Sequence, residues 1–540
     1  MSAIRPTTGS AYTDGRGAFL PSVERIERGS RIAGERSVRA DVCVIGTGAG
    51  GAPVAKELAE GGMRVVMLEE GERVTTDQFT ARPREMTARF YRDAGQTVTV
   101  GNPPIVLPLG SSVGGTTLIN SGTCFRTPPA VLELWRERFG LEELTPDELD
   151  PYFRRVEREL NVAQVPPELA GGNAHVVKRG ADALGWSSDF LFRNAKGCVG
   201  SGVCAFGCPT SAKQHVGITY VPRAWEAGAT TFTGCTARRI VVEGGRARGV
   251  EARTAVGGRL NVQADHVVVA CGAIHTPLLL RRNGLGGRSG QLGGNLAIHP
   301  ATAVRALLDE HVDMARGVPQ SFYIDQFAGE GIMLEGAAGP PDYLAMSMPF
   351  ARERHRDLML RFENLSQFGV MVSDRSRGFV RERAGRVEIR YDLLPDDVER
   401  FRRGLLLLTE LYWAAGAREV FQPVESVGTL RDGDLGPLAD RPLNTRELTL
   451  MAFHPLGTAR ADANPEDGVV DGGLRLHGVE GLYVSDASAV PSSLGVNPQI
   501  TIMALATRLA YGLLGKPAPE DEPEPESIAN PRAPALSASP

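Results

Sequence analysis

Apolar and polar positions near the start of the chain predict a strand, a helix and a second strand in succession. Val42–Ile45 is a short, mostly β-branched run, typical of a buried parallel strand. A helical pattern follows over about residues 50–60, and two glycines at 61–62 end it. The run 64–68 predicts the second strand. This succession is the basic unit of a parallel sheet covered by helices.

Later segments of the chain have the patterns of further sheets. Short runs between glycine pairs predict a meander of strands over residues 237–271, with hairpin turns at 244–245 and 257–258. Residues 300–450 mix strand patterns with a long helix at about 396–415. The chain is therefore expected to be an α/β protein, α+β overall, with a second domain built on a sheet.

Length and composition limit the possible classes of protein. A chain of 540 residues predicts two domains. Its 23% charged residues and net charge of −5 do not suggest binding to nucleic acid or to an anionic membrane. No apolar run approaches the roughly 20 residues of a membrane span, and the N-terminal residues lack the apolar stretch of an export signal. We therefore expect a cytoplasmic protein.

A glycine-rich turn joins the first predicted strand to its helix. Gly46 permits the tight turn, Gly48 lets a pyrophosphate approach the backbone, and Gly51 lets the helix pack closely on the strand. Glu69 ends the second strand, where an acid binds ribose hydroxyls. This pattern predicts dinucleotide binding, leaves FAD and NAD open, and argues against NADP. A second glycine-rich loop at 110–120 has the composition of a phosphate-facing or flavin-facing loop, although a plain loop is the alternative.

Four separated segments resemble the glucose–methanol–choline (GMC) family of FAD oxidoreductases. They are GTGAGG with Glu69, VGGTTLIN at 113–120, GAIHTPLLLRRNGLG at 272–286, and the run 454–510 that begins HPLGT. The resemblance implies FAD, and a Rossmann-like FAD-binding domain interrupted by a substrate-binding domain on an antiparallel sheet. The expected divisions are an N-terminal arm (1–37), a first FAD-binding segment (38–130), a helical insertion or piece of the substrate domain (131–195), a Cys/Gly loop with a second FAD-binding segment (196–300), the substrate-binding domain (301–450), a third FAD-binding segment with the catalytic residues (451–515) and a disordered tail (516–540).

The resemblance also implies the catalytic residues. Oxidation of an alcohol requires a base for the hydroxyl proton and a hydride acceptor, flavin N5. His454 occupies the family's base position, and Asn497 the second position, where an amide orients the substrate. The alternative is that His454 is a capping or core histidine. Asn497 and Pro498 also have the pattern of an N-cap and first turn, opening an apolar helix whose N-terminus would lie near the flavin ring.

The resemblance implies further cofactor contacts. Asp486 would contact the ribityl or pyrophosphate region of FAD, although a turn-forming aspartate is the alternative. Additional contacts are carried over to Gly114, Gly115, Thr116 and Asn120. Some relatives attach FAD covalently to a histidine of this loop. This loop contains no histidine, so non-covalent FAD is expected.

Three cysteines lie close together in the sequence. Cys198, Cys204 and Cys208 resemble the segment of GMC sugar dehydrogenases that carries a [3Fe–4S] cluster. The alternatives are packed thiols or one reducible disulfide. The odd total of seven cysteines does not suggest a disulfide framework. The remaining cysteines are interpreted as small core residues: Cys43, Cys124, Cys235 and Cys271. Two other histidines, His275 and His299, are interpreted as structural.

We therefore expect an FAD-dependent enzyme that oxidises the CH–OH group of a small-molecule alcohol, with O2 or a quinone or cytochrome as electron acceptor. The resemblance favours an apolar alcohol, and residues 320–350 are interpreted as pocket lining or as ordinary core. One alternative is a sugar or polyol dehydrogenase that uses the iron–sulfur cluster. Others are a non-redox lyase on the same fold and a flavoprotein with a binding or structural role.

Overall fold

The computed structural model describes residues 24–336, 338–440 and 442–520. The start of the expected arm and most of the expected disordered tail lie outside these residues. The secondary-structure elements fall into two large sheets, three smaller ones and the helices that cover them.

A six-stranded parallel sheet forms the first layer, as the opening pattern predicts. Its strands, in spatial order, are Ile26–Arg28, Thr230–Thr233, Val65–Leu68, Val42–Ile45, His266–Val269 and Leu482–Val484. Every residue of the two central strands is buried, which explains their continuous apolar pattern. The helix Gly51–Glu60 packs against these strands and against Gln499–Leu514, the last helix of the described chain.

The first three strands of the predicted meander form a four-stranded sheet with Glu35–Arg39, whereas the last predicted strand, His266–Val269, belongs to the parallel sheet. The order of the four-stranded sheet is Cys235–Glu243, Arg246–Thr254, Arg259–Gln263 and Glu35–Arg39, and both hairpin turns occur at the expected glycine pairs. The expectation of a loose arm over 1–37 is wrong at 26–28 and 35–37, because these residues pair in the parallel and meander sheets. Backbone groups make that pairing, so the polar side chains of an edge strand do not reveal it in the sequence.

The second domain is built on a large antiparallel sheet, as the family resemblance implies. Its main path is Thr429–Arg431, Glu419–Phe421, Pro300–Leu307, Leu365–Val372, Ile332–Glu335, Phe322–Ile324 and Ser188–Phe190. Leu450–Ala452 pairs with the strand Pro300–Leu307 and also with Ile105–Val106. Strands Ser188–Phe190 and Ile105–Val106 come from outside 301–450, so the sheet is wider than the expected domain limits. Two separate antiparallel pairs are Phe379–Arg383 with Arg386–Arg390, and Val162–Gln164 with Phe192–Asn194.

Most of the helices pack into two main apolar cores, and three pack into smaller apolar clusters. The remaining helices are Pro83–Phe90, Pro129–Phe139, Pro146–Glu159, Gly172–Leu184, Tyr220–Glu226, Gly272–Arg282, Pro341–Ser347, Arg352–Leu360, Pro395–Ala414 and Gly436–Ala439. The segment expected as one insertion over 131–195 is split, because its first two helices pack into the core of the parallel sheet and its third into the core of the antiparallel sheet. The long helix expected at 396–415 is confirmed. Among the described helices, none is long and apolar enough to cross a membrane.

Candidate active site

Segments with predicted cofactor contacts converge at one edge of the parallel sheet. Gly46, Glu69, Gly272 and Asp486 each lie within three residues of the carboxyl end of a strand of this sheet. Since parallel strands point their carboxyl ends the same way, these segments form a single crevice, the usual ligand position in such sheets. The first and last of these residues are more than four hundred positions apart, so the sequence gives no direct sign that they lie close together.

The first glycine-rich turn has the shape that its sequence predicts. An added Cβ at Gly46 would lie 2.3 Å from the Ala270 carbonyl oxygen, and one at Gly51 would lie 2.0 Å from the Gly46 carbonyl oxygen. Both positions therefore require glycine for packing within the chain. Gly48 differs, because an added Cβ would meet only the Gly115 Cα, at 3.8 Å. The space beside Gly48 is open, which suits the close approach of a phosphate.

The second glycine-rich loop lies directly on this turn. The Gly114 amide donates a hydrogen bond of 3.2 Å to Thr47 Oγ1. Thr47 Oγ1 and the Thr47 amide both donate to Glu69 Oε2, at 2.7 and 3.1 Å, and the Gly71 amide donates to Glu69 Oε1 at 3.0 Å. Glu69 is buried, and burial raises the pKa of its carboxyl group. Thr47 therefore links the two loops and is held in place by Glu69, whose contact with a ribose stays a prediction.

Asp486 has protein donors for both of its carboxylate oxygens. Gly272 N and Thr276 Oγ1 donate to Oδ2 at 2.8 and 2.5 Å, and Ser488 N and Oγ donate to Oδ1 at 2.7 and 2.5 Å. The side chain thus caps the short turn that follows it, in line with the turn-forming alternative. Its contact with FAD stays a prediction, and its neighbour Ala487 lines the cavity described next.

A cavity of about 820 Å³ lies between the two sheets. It extends from Ala49 and Thr116 beside the glycine-rich loops to the face of the antiparallel sheet. The predicted site residues that line it are Thr116, Asn120, His454, Asn497 and Pro498. Segment 320–350 contributes both lining and core, since Gln320 and Tyr343 face the cavity whereas strand Phe322–Ile324 is buried.

His454 is paired with a second histidine that the sequence analysis interprets as structural. His454 Nδ1 lies 3.2 Å from His299 Nδ1. His299 Nε2 accepts hydrogen bonds from the amides of Leu494, at 2.9 Å, and Gly495, at 3.1 Å. A ring nitrogen that accepts two N–H groups carries no hydrogen, so His299 carries its hydrogen on Nδ1 and donates it to His454 Nδ1. Neutral His454 then carries its own hydrogen on Nε2.

Burial and the neighbouring ring lower the pKa of His454 well below its usual value. A protonated His454 would also place an Nδ1–H group against that of His299. Both effects keep His454 neutral with an Nε2–H group, which is a hydrogen-bond donor. This arrangement argues against the role of proton acceptor that the family resemblance implies for His454.

The backbone of His299 is held in an unusual conformation by a buried carboxylate. His299 has φ of +48°, in the left-handed region that few non-glycine residues adopt. Asp374 accepts hydrogen bonds from the amides of Ile298 and His299 and from Tyr391 Oη at 2.6 Å. These contacts fix the position from which the His299 ring reaches both His454 and the Leu494 amide.

Asn497 faces the cavity and does not cap the last helix. That helix begins at Gln499, with Pro498 at the cap position, so the expectation of an Asn497 N-cap is wrong. Asn497 Nδ2 donates to Glu335 Oε1 at 3.2 Å and lies 3.3 Å from His454 Nε2; with a hydrogen on Nε2 both nitrogens are donors, so they make no hydrogen bond with each other. Its Oδ1 atom is buried and has no hydrogen-bond partner in the described chain, so it is available to a bound ligand.

Glu335 is a site residue that the sequence analysis missed. It ends the apolar strand Ile332–Glu335, is 9% exposed and lines the cavity. Burial raises its pKa to about 7, partly offset by hydrogen bonds with Asn497 and Gln320. Its Oε2 atom has no partner within the described residues. The only sequence signal is an acid at the end of a fully apolar run, where an unpaired carboxylate is costly.

The three clustered cysteines do not form a metal site in the described chain. All seven cysteines are free thiols, and no group of three metal-binding side chains occurs among the described residues. Arg193 Nη2 contacts Cys204 Sγ at 3.2 Å, and the Lys213 amide contacts Cys208 Sγ at 3.5 Å. The expected iron–sulfur cluster therefore has no support, and the packed-thiol alternative fits these contacts. Of the cysteines interpreted as core, Cys271 instead lines the cavity.

Lys213 gives this segment a structural function. Its Nζ atom is buried and donates to the carbonyl oxygens of Leu118 and Cys204 at 2.8 Å, and also to that of Asn120. The Cys/Gly segment therefore holds the end of the second glycine-rich loop in place through one buried ammonium group.

The site has the features that FAD requires. The open space beside Gly48 suits a pyrophosphate, and the cavity next to it contains buried polar atoms without partners in the described chain. These atoms include Asn497 Oδ1 and His275 Nε2, which suit the polar edge of a flavin. The residues present therefore fit the cofactor.

Comparison with known proteins agrees with this geometry. Two family models described as GMC oxidoreductase match residues 87–301 and 374–506. An uncharacterized GMC-type oxidoreductase of Mycobacterium tuberculosis is 44% identical over 482 residues, covering 88% of this chain and 76% of the relative. Long-chain-alcohol oxidase FAO4A of Arabidopsis thaliana is 25% identical, over 91% of this chain and 71% of the relative.

Among solved structures, pyridoxine 4-oxidase from Mesorbium loti has the same fold. Its TM-score is 0.68 at 21% sequence identity, and the match covers 87% of this chain and 98% of that structure. The family matches and the FAD-compatible crevice lead to one conclusion. The chain belongs to the GMC oxidoreductase family and is an FAD-dependent oxidoreductase.

Proposed function

We propose that the enzyme oxidises a CH–OH group to a carbonyl group in the region of the cavity between His454, Asn497 and Glu335. The observation that carries this proposal is the meeting of a fixed N–H donor and a carboxylate with a pKa near 7 on one cavity wall. An alcohol that loses both a proton and a hydride needs a hydrogen-bond donor for its oxygen and a nearby proton acceptor. When bound, FAD supplies the hydride acceptor.

His454 and Glu335 have complementary roles in this proposal. His454 Nε2–H donates to the substrate oxygen and stabilises the negative charge that develops there. Glu335 accepts the hydroxyl proton, since its raised pKa matches neutral pH and Oε2 has no partner among the described residues. The base is therefore moved from His454 to Glu335, because the hydrogen bonds of His299 leave His454 no free lone pair toward the cavity.

Asn497 positions Glu335. Its amide nitrogen donates to Glu335, and its partnerless oxygen can accept a hydrogen bond from the substrate or cofactor. We further propose that FAD is held non-covalently. The residues proposed to hold it are Gly46, Gly48, Gly51, Glu69, Gly114, Gly115, Thr116, Asn120, Asp486 and Pro498.

An alcohol with an extended apolar portion is the proposed substrate class, and O2 is the proposed electron acceptor. Much of the cavity wall is apolar, including Ile119, Ile274, Met371 and Phe453. The relatedness to long-chain-alcohol oxidases of Arabidopsis thaliana supports both choices.

The test is an anaerobic titration of the purified holoenzyme with a panel of primary, secondary, sterol and sugar alcohols, followed by flavin absorbance. We expect an apolar alcohol to bleach the flavin and air to restore its colour. The rate of bleaching should fall as the pH drops below about 7, because protonated Glu335 cannot accept a proton. If no alcohol of the panel bleaches the flavin, the proposed oxidation is wrong and a non-redox activity gains support.

Two variants separate the proposed roles. Glu335→Gln should lower the bleaching rate by roughly 10²–10⁴-fold and abolish the pH dependence near 7. His454→Gln should also be slow but keep that dependence, since Glu335 remains. The exposed Glu330→Gln is the matched control and should behave as wild type. The opposite pattern, with the pH dependence lost only in His454→Gln, would return the role of base to His454.

A further inference from the structure

An arginine on the cavity wall has no counter-charge in the described chain. Arg305 belongs to the strand Pro300–Leu307, is 7% exposed and lines the cavity. Its Nη2 atom donates to Ser347 Oγ at 2.9 Å, and its Nε atom is buried with no partner. Among the described residues no carboxylate forms an ion pair with it, and its titratable neighbours are the Tyr343 and Tyr412 hydroxyl groups, which can ionise only at high pH. Burial lowers the pKa of Arg305 to about 10, so the side chain is still charged at neutral pH.

An unpaired buried cation is costly. A guanidinium removed from water loses its hydration, and a neutral hydroxyl such as that of Ser347 compensates only a small fraction of this loss. Other buried cations have more hydrogen-bond acceptors, as Lys213 does with three backbone carbonyl oxygens. Lys56 is also buried but lies within 3.1 Å of Glu57 and Glu159 carboxylate oxygens. We therefore expect the partner of Arg305 to be a ligand bound in the cavity.

The register of the antiparallel sheet relates Arg305 to the reactive end of the site. Ala303 pairs with Gly369, and Gly369 pairs with Glu335 on the next strand. Arg305 lies two residues beyond Ala303 and therefore projects from the same face of the sheet as Glu335. With strands about 4.8 Å apart and a rise of about 3.3 Å per residue, the Cα atoms of Arg305 and Glu335 are on the order of 12 Å apart.

A path between these two residues crosses the small residues Ala303 and Gly369, while Gln367 lies on the same face beside Arg305. Ala303 and Gly369 both line the cavity there. An added Cβ at Gly369 would lie 2.6 Å from the Glu335 carbonyl oxygen, so this position requires glycine. A ligand chain can therefore lie along the sheet from the Glu335 end to the Arg305 end.

We propose that Arg305 binds a carboxylate at the far end of the substrate, so that the enzyme acts on an extended hydroxy acid. This inference rests on the proposed function for the oxidation itself, and it adds the substrate class. The planar guanidinium of arginine can donate two parallel hydrogen bonds to a carboxylate. The same pocket should favour such an acid over an alcohol with an apolar end, because that end leaves the cation unpaired.

The test separates binding from oxidation. Octanoate has the carboxylate but no oxidisable hydroxyl, so its dissociation constant is measured on the holoenzyme by calorimetry and by perturbation of flavin absorbance. We expect Arg305→Gln to weaken octanoate by at least roughly 30-fold, Arg305→Lys to weaken it less, and neither to affect methyl octanoate. The exposed Arg352→Gln is the control and should match wild type.

Ser347→Ala gives a second measurement should Arg305→Gln fail to fold. Removing this hydroxyl deletes the protein partner of Arg305, so octanoate affinity should be kept or increased if Arg305 serves the ligand. A loss of octanoate affinity in Ser347→Ala, or equal affinity in wild type and Arg305→Gln, would overturn the proposal.

Turnover then distinguishes this inference from the proposed function. We expect ω-hydroxyoctanoate to bleach the flavin with a higher kcat/KM than octanol or the methyl ester, and Arg305→Gln to remove the difference. Bleaching by octanol without any advantage of the acid would contradict the inference and leave the proposed oxidation intact. Octanoate binding that depends on Arg305, with no bleaching by any hydroxy compound, would support the binding site and contradict the oxidation.

Discussion

At the scale of single residues, His299 determines the protonation of the site although it does not line the cavity. Its Nε2 atom is occupied by two backbone amides, so its only hydrogen is directed at His454. Backbone amides do not titrate, so the hydrogen is expected to stay on His299 Nδ1 at all pH values near neutrality. His454 therefore keeps its Nε2–H group because of a neighbour that is 155 positions away in sequence.

Replacing His299 tests this dependence. His299→Leu leaves the Leu494 and Gly495 amides without acceptors and should lower the free energy of unfolding by about 2–4 kcal/mol. It should also slow anaerobic flavin reduction, since His454 is no longer fixed. His299→Asn can accept from an amide, donate to His454 and tolerate positive φ, so it should recover some of both losses. Urea unfolding and stopped-flow reduction measure the two effects, and equal rates in both variants would contradict the role of His299.

The sequence identifies some of these residues and not others, for physical reasons. His454 and Asn497 belong to local motifs, so the family resemblance includes them. Glu335, Arg305 and His299 have no local motif, because their environment is created by strands and loops distant in sequence. An acid or arginine in a strand pattern is ordinarily on the solvent face, and only the fold shows that these two face a buried cavity.

At the scale of elements, the two glycine-rich loops act as one unit. Thr47 and Glu69 connect them by buried hydrogen bonds, and Lys213 holds the end of the second loop. The strand, turn and helix around Gly46 are predicted well from sequence, because hydrophobic period and glycine spacing are local signals. The docking of one loop on the other depends on long-range contacts, and the sequence gives no sign of it.

A glycine series tests the cofactor crevice. Gly48→Ala should leave the unfolding of flavin-free protein unchanged, because the new methyl group meets only Gly115 Cα, but should weaken FAD binding by roughly tenfold or more. Gly46→Ala should destabilise the flavin-free protein itself, since its Cβ would collide with the Ala270 carbonyl. Gly287→Ala, which has open space around it, is the control. Flavin fluorescence quenching reports affinity, and unchanged affinity in Gly48→Ala would place the pyrophosphate elsewhere.

At the scale of the whole molecule, the cavity lies where the two sheets meet. The parallel sheet provides the cofactor crevice, and the antiparallel sheet provides Glu335 and Arg305. Hydrophobic patterning predicts both sheets, but the limits of the domains do not follow from it. Strands Ile105–Val106 and Ser188–Phe190 join the antiparallel sheet from distant segments, and strands of two or three residues have too short a pattern to be recognised.

The mode of cofactor attachment is tested on the intact protein. Precipitation with trichloroacetic acid should release all flavin into the supernatant, because the loop 110–120 offers no histidine for covalent attachment. Absorbance of the supernatant and of the redissolved pellet measures the partition. Yellow colour that stays with the pellet would show a covalent bond and would direct attention to His275, which lines the cavity.

The order of strands in the parallel sheet also affects how the protein is made. One edge of strand His266–Val269 pairs only with strand Leu482–Val484, which the ribosome adds roughly 200 residues later. Until then that edge is unpaired. At roughly 5–20 residues per second, that delay is on the order of 10 to 40 s. During this interval the nascent chain exposes an apolar strand edge, a target for chaperones and a risk for aggregation. Cavity residues 487 and 497–499 follow this strand in the sequence, so we expect a chain terminated before it to bind no added FAD.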